Sequence, residues 1–171
     1  MKSLIAASAV QITFGFPSLY FRQFDTILLY PDAYQSTITG NYHQGEVNTR
    51  GFIVLSWTHF LRGYHIDNDG RNLGLHEMSH ALKIADSVYT EEYDFLDSTL
   101  MRTFIDLARA EIQRINDGQK SFFRDYATTS DHEFFAVAVE NFFERPEQFK
   151  QNHSQLFQIL AQLLNQERTY G

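Results

Sequence analysis

Hydrophobic and polar positions follow two rhythms along the chain, a short-period one up to about residue 56 and a helical one beyond it. Phe24-Asp25-Thr26-Ile27-Leu28-Leu29-Tyr30 is rich in β-branched and aromatic residues and runs into Pro31, which predicts a strand ended by a breaker. Gly45-Glu46-Val47-Asn48-Thr49-Arg50-Gly51 reads as a loop or hairpin feeding a second, more buried strand over Phe52-Ile53-Val54-Leu55-Ser56. His59 to Tyr64 reads as a short helical turn. After the polar loop Asp67 to Asn72, a helix runs from Leu73 to about Ile84 with Asn72 as its N-cap. Glu91 to Gln113 then carries Phe95, Leu96, Leu100, Phe104, Leu107, Ala108 and Ile112 at helical spacing, closed by Asp117-Gly118. An aromatic linker, Phe122 to Thr129, leads to a helix from Asp131 to about Glu144 that stops before Pro146, and a last helix runs from Pro146 to Asn165.

Ahead of these elements, Leu4 to Val10 is a small-residue apolar run of the kind found in signal peptides. Gln11 and Thr13 interrupt it and only Lys2 supplies a charge, so it is read as a first helix. The elements together predict an α+β fold, predominantly helical with a small mixed β-sheet. With no repeat, low-complexity tract or linker, residues 1–171 are expected to form a single domain.

Composition narrows the function. A net charge of −7 argues against direct nucleic-acid binding, which calls for a basic excess. No apolar stretch is long enough to span a membrane. The absence of cysteine excludes a thiol nucleophile and thiolate metal ligands, leaving His, Asp and Glu for any metal. Aromatic residues make up 15% of the chain, and composition does not divide them between core and cleft.

The candidate chemistry lies in His76-Glu77-Met78-Ser79-His80. Two histidines four apart stand one above the other on a helix, so both imidazoles can reach one Zn²⁺ while the intervening glutamate stands beside a metal-activated water. The alternative is a helix end with two packed or solvated histidines, which would bury imidazoles beside Leu75, Ala81 and Leu82 for no structural gain. A catalytic zinc needs a third protein ligand. Asp86 stands at metzincin-like spacing, but Lys83 occupies the position where such sites use glycine to turn the chain. Asp94 and Asp97 are further carboxylates in no recognisable arrangement. Glu133 opens the helix from Asp131, where Ser130-Asp131-His132-Glu133 also fits a capping box, so on the residues alone its carboxylate serves either the metal or the helix end. Glu140 shares its helix face, as an acceptor for a ligand histidine or a partner for a basic side chain.

Collinear strings through most of the chain resemble the Mlc titration factor A peptidases, whose zinc site is similar to that of the anthrax lethal factor catalytic domain. The strings are Leu4-Ile5-Ala6-Ala7, Phe24 to Pro31, Val54-Leu55-Ser56-Trp57, His76 to Leu82, and Glu133-Phe134-Phe135-Ala136-Val137-Ala138 with Glu140 and Phe142-Phe143-Glu144-Arg145-Pro146. The resemblance implies a zincin-like fold and a gluzincin site, with His76, His80 and Glu133 as metal ligands and Tyr126 as an oxyanion partner. Two departures stand out. Lys83 replaces an aspartate frequent in the family, and members usually begin with further helical residues, so the chain is expected to be a truncated form.

The sequence is therefore read as a zinc-dependent metallopeptidase acting on peptide or protein substrates, with Glu77 as general base, Tyr126 assisting, and Zn²⁺ as cofactor. The resemblance also implies an alternative, a regulatory binding protein that sequesters a transcriptional repressor with weak or vestigial peptidase activity; the intact Glu77 favours the enzyme. The expected location is cytoplasmic, with a membrane anchor on a preceding segment left open.

Overall fold

Strands β1 (Thr26–Tyr30), β4 (Gly45–Asn48) and β5 (Phe52–Ser56) form a mixed sheet in the computed structural model, which describes residues 1–17, 21–36, 40–88 and 95–167. β5 lies in the middle, parallel to β1 with Leu28 opposite Val54, and antiparallel to β4 with Val47 opposite Ile53. Its central place explains its unbroken apolar run, since Ile53, Val54 and Leu55 are all buried. The β4–β5 turn depends on Gly51, whose φ of 91° suits a residue without Cβ. Its carbonyl accepts the N–H groups of Asp25 and Thr26 and so ties the turn to the start of β1. A short antiparallel ribbon, β2 (Tyr34–Gln35) with β3 (Tyr42–His43), stands beside the sheet.

The helices are α1 (Lys2–Thr13), α2 (Trp57–His65), α3 (Leu73–Val88), α4 (Ser98–Asn116), α5 (Asp131–Glu144), α6 (Pro146–Asn152) and α7 (Ser154–Leu163), with a 3-10 turn over Asp125–Thr129. α3 packs against β4 and β5, α1 and α5, which places the histidine pentapeptide at the centre of the fold. α5 is buried without interruption from Phe134 to Phe142, as expected of a helix enclosed on all sides. Phe104 meets Phe134 and Phe135 at centroid distances of 6.2 and 5.5 Å, and Phe123 meets Phe134 at 4.8 Å. Much of the aromatic excess is thus core that holds α5 in place.

The expected α+β, largely helical architecture is observed, with shifts at several boundaries. α2 is longer than the turn expected at His59 to Tyr64, because the Ser56 hydroxyl caps it at the His59 N–H. The helix expected from Glu91 starts at Ser98, since Asp97 caps it through Thr99 and Leu100; residues 91–94 lie outside the described ones. Leu96 keeps its buried position in the turn before that cap. The single helix expected over Pro146 to Asn165 is two, broken at His153, whose ring is drawn toward Phe123 (5.0 Å between centroids) and the buried Glu111 (3.7 Å).

Candidate active site

Backbone geometry brings three of the sequence candidates together. On α3, Asn72 Oδ1 accepts the Leu75 N–H at 3.1 Å as an N-cap does, and the next turns bring His76 and His80 to one face with rings 4.8 Å apart. On α5, the Ser130 hydroxyl accepts the Glu133 N–H at 3.2 Å, which is half of the capping box. The other half is not made, for the Glu133 carboxylate points to the histidines, with Oε2 3.1 Å from His76 Nε2 and Oε1 3.4 Å from His80 Nε2. The cap and the metal role are therefore compatible, one using the residue's backbone and the other its side chain.

The three side chains fit a cation on two counts. His76 Nε2 and His80 Nε2 stand 3.2 Å apart. With the carboxylate distances above, these match the edge of about 3.3 Å expected for a tetrahedron with bonds of about 2.0–2.1 Å. Glu133 Oε2 is also buried without an aligned hydrogen bond, although an imidazole nitrogen lies close by. Acceptor atoms converging in this way are accounted for by one shared positive ion. Among the described residues, His76, His80 and Glu133 are the one group of this composition with ligand atoms all within 4.8 Å.

Glu140, only 1% exposed, holds His76 from behind by accepting the Nδ1–H at 2.8 Å. The same carboxylate accepts the Asn72 N–H at 2.7 Å and Arg124 Nη2 at 2.7 Å, while Arg124 Nη1 also donates to the Gly70 carbonyl at 2.5 Å. Burial opposes a charged His76, but the neighbouring carboxylates of Glu133 and Glu140 prevail and raise its pKa to about 10. Glu133 moves the opposite way: burial raises its pKa, and the two histidines outweigh that and hold it well below the usual carboxylate range.

Glu77 is buried beside this group, facing β4. Burial pushes its pKa up to about 7 against the pull of His76 and His80. Gly45 of β4 lies directly over its carboxylate, so closely that a Cβ there would collide with Glu77 Oε1. Tyr126 comes from the 3-10 turn, half exposed, with its ring 5.9 Å from His76 and Arg124 5.7 Å from its centroid. Burial and the charge of Glu133 raise its phenol above the ordinary range. His76, Glu77 and Tyr126 line one cleft of about 470 Å³.

The remaining carboxylates do other work. Asp86 Oδ1 accepts the N–H groups of Phe95 and Leu96, Asp97 caps α4, and Asp94 lies outside the described residues. Lys83 lays its ammonium 5.4 Å from the Phe135 ring centroid. Arg124, which fixes Glu140, escaped the sequence reading because it sits in an irregular linker 16 residues from its partner.

Comparison with known proteins adds two findings. A family model described as glucose-regulated metallo-peptidase M90 matches residues 1–164. An uncharacterized protein of the cyanobacterium Synechocystis sp. is 27% identical over 180 residues, covering 94% of this chain, and the chain spans 64% of that relative's length.

Proposed function

The chain belongs to the glucose-regulated metallopeptidase M90 family, and from that premise we propose a single-domain, zinc-dependent peptide hydrolase of the gluzincin kind. In this reading His76 and His80 of the H-E-x-x-H pattern and Glu133 of α5 hold the metal, Glu77 is the general base and Tyr126 the oxyanion partner. The observation that carries it is the convergence of two imidazole nitrogens and a carboxylate at tetrahedral-edge distances, beside the buried carboxylate of Glu77.

Bound Zn²⁺ supplies Lewis-acid polarisation of a water and of the scissile carbonyl. Glu77 takes the proton from the attacking water on a carboxylate oxygen and returns it to the leaving amine. Glu140 holds the proton of His76 at Nδ1, which leaves Nε2 free to bind. The Tyr126 hydroxyl donates to the carbonyl oxygen as charge grows there, and its raised pKa keeps that proton in place. β4 is the edge of its sheet, and its outer backbone groups suit antiparallel pairing with an extended substrate. An ester at the paired substrate amide should raise KM; an unchanged KM contradicts the pairing.

The buried base favours hydrolysis over a purely sequestering role toward a repressor, which has no need of a proton acceptor at this place. Competition titration with a chromogenic chelator tests the ligand set. One zinc per chain is expected, weakened by orders of magnitude in His76→Ala, His80→Ala and Glu133→Ala and unaffected in Asp86→Ala. Tight zinc binding that survives Glu133→Ala contradicts the assignment.

A further inference from the structure

The cleft continues past His76 and Glu77 to a wall made by α2 and the loop entering α3, where His59, Arg62 and Arg71 line it. His59 and Arg62 are three residues apart and share one face of α2. His59 is fixed by its Nδ1, 2.7 Å from the buried Ser56 hydroxyl and 3.4 Å from Asp32, which leaves Nε2 for other partners.

The charges lining this cavity do not cancel. Arg62, Arg71 and Arg124 face two carboxylates, Glu77 and Glu140. Glu140 is already taken by Arg124 at 2.7 Å and by His76, and Glu77 stands at the reaction centre. Among the described residues, the Arg62 and Arg71 guanidiniums make no hydrogen bond or ion pair with any other group. A chain with a net charge of −7 thus carries two exposed arginines without a protein partner on the lining of the cavity that contains its candidate base. Guanidinium is suited to a planar carboxylate, which it can grip through two parallel N–H bonds. The acidic remainder of the protein disfavours a long polyanion.

We propose that Arg62 and Arg71 form a subsite for a carboxylate of the peptide substrate, either its free C-terminus or an Asp or Glu side chain to one side of the bond cleaved. The term substrate rests on the hydrolase reading above; the carboxylate subsite rests on the cavity and its charges.

The test uses the zinc-loaded full chain carrying Glu77→Gln, so that peptides persist, and four short N-terminally fluorescent peptides read by anisotropy. One pair differs only in a free against an amidated C-terminus, and the other, both amidated, only in Asp against Asn. In at least one pair the carboxylate form should bind about tenfold more tightly. That preference should weaken as salt rises and fall below about twofold in Arg62→Gln/Arg71→Gln. It should persist in Arg50→Gln, a control at the separate cavity over the outer face of the sheet. Preference in the first pair identifies a C-terminal carboxylate, and in the second an acidic side chain. Equal affinities within both pairs, or a preference that survives loss of both arginines, overturn the proposal. Zinc content and circular dichroism accompany each variant, and Arg62→Lys/Arg71→Lys should retain part of the preference. Carboxylate-selective binding by a wild-type chain that cleaves no peptide would uphold the subsite and refute the hydrolase. Cleavage with equal kcat/KM within both pairs, free against amidated C-terminus and Asp against Asn, would do the reverse.

Discussion

Replacing Glu140 by Gln removes one negative charge from a carboxylate that receives four donated hydrogen bonds. These come from His76 Nδ1 at 2.8 Å and Arg124 Nη2 at 2.7 Å on one oxygen, and from Asn72 N at 2.7 Å and Arg124 Nη1 at 3.2 Å on the other. The glutamine amide nitrogen cannot accept, so whichever way it points, two donors face an N–H instead of an oxygen. Leaving a buried donor unmet costs about 1–3 kcal/mol, so Glu140→Gln should lose about 2–4 kcal/mol of stability. For a chain of this size that lowers Tm by roughly 10 °C. His76 also loses the acceptor that fixes its tautomer, and the zinc dissociation constant should rise about 10–100-fold. Thermal unfolding of the metal-free protein reads the first effect, and chelator competition at 25 °C the second. A large fall in Tm with zinc affinity changed less than twofold would refute the claim that Glu140 prepares His76 for metal, leaving it a purely structural anchor for Arg124.

Other outcomes are equally specific. Tyr126→Phe should lower kcat by about a hundredfold with KM nearly unchanged, measured by steady-state peptide hydrolysis; a raised KM with kcat unchanged would argue for a binding role. Gly45→Ala should drive a methyl group into the Glu77 carboxylate and lower kcat by roughly a hundredfold with zinc still bound; full activity would mean that β4 does not constrain the base. Glu144 has its pKa raised to about 7, first by burial, with Asp69 and Glu140 adding and hydrogen bonds from Asn72 and Arg71 opposing. Its raised folded-state pKa means that stability present at pH below about 4.5 is lost as pH rises through about 7. Glu144→Gln should therefore gain Tm relative to wild type as pH rises from 5 to 8, and a constant difference would show that Glu144 does not titrate there.

The parts of the site that lie on regular elements could be read from the residues. The i, i+4 histidines of α3, the Glu133–Glu140 face of α5 and the buried β5 each follow from a local period, and local periods are visible in sequence. Glu133 shows where that stops. The Ser130 box predicts a backbone cap, which is present, but it does not tell where the carboxylate turns, because the competing histidines are more than fifty residues away. Arg124, Arg62 and Arg71 were not foreseen for the same reason: their meaning comes from partners or walls supplied by other elements. The break at His153 and the start of α4 at Asp97 show two different misses. The first is imposed by tertiary packing against Phe123 and Glu111, which no propensity reveals. The second was legible, since Asp97-Ser98-Thr99 is an N-cap signal that the helical spacing of Phe95 and Leu96 obscured.

Hydrolysis of a peptide library by the zinc-loaded chain, beside Glu77→Gln with its zinc content measured in the same sample, tests the central claim most directly. Wild type should cleave peptide bonds and lose that activity to a chelator, while Glu77→Gln should keep one zinc per chain and lose at least about a thousandfold in kcat. Cleavage by Glu77→Gln at the wild-type rate, or a zinc-loaded wild type that cleaves nothing, would contradict it.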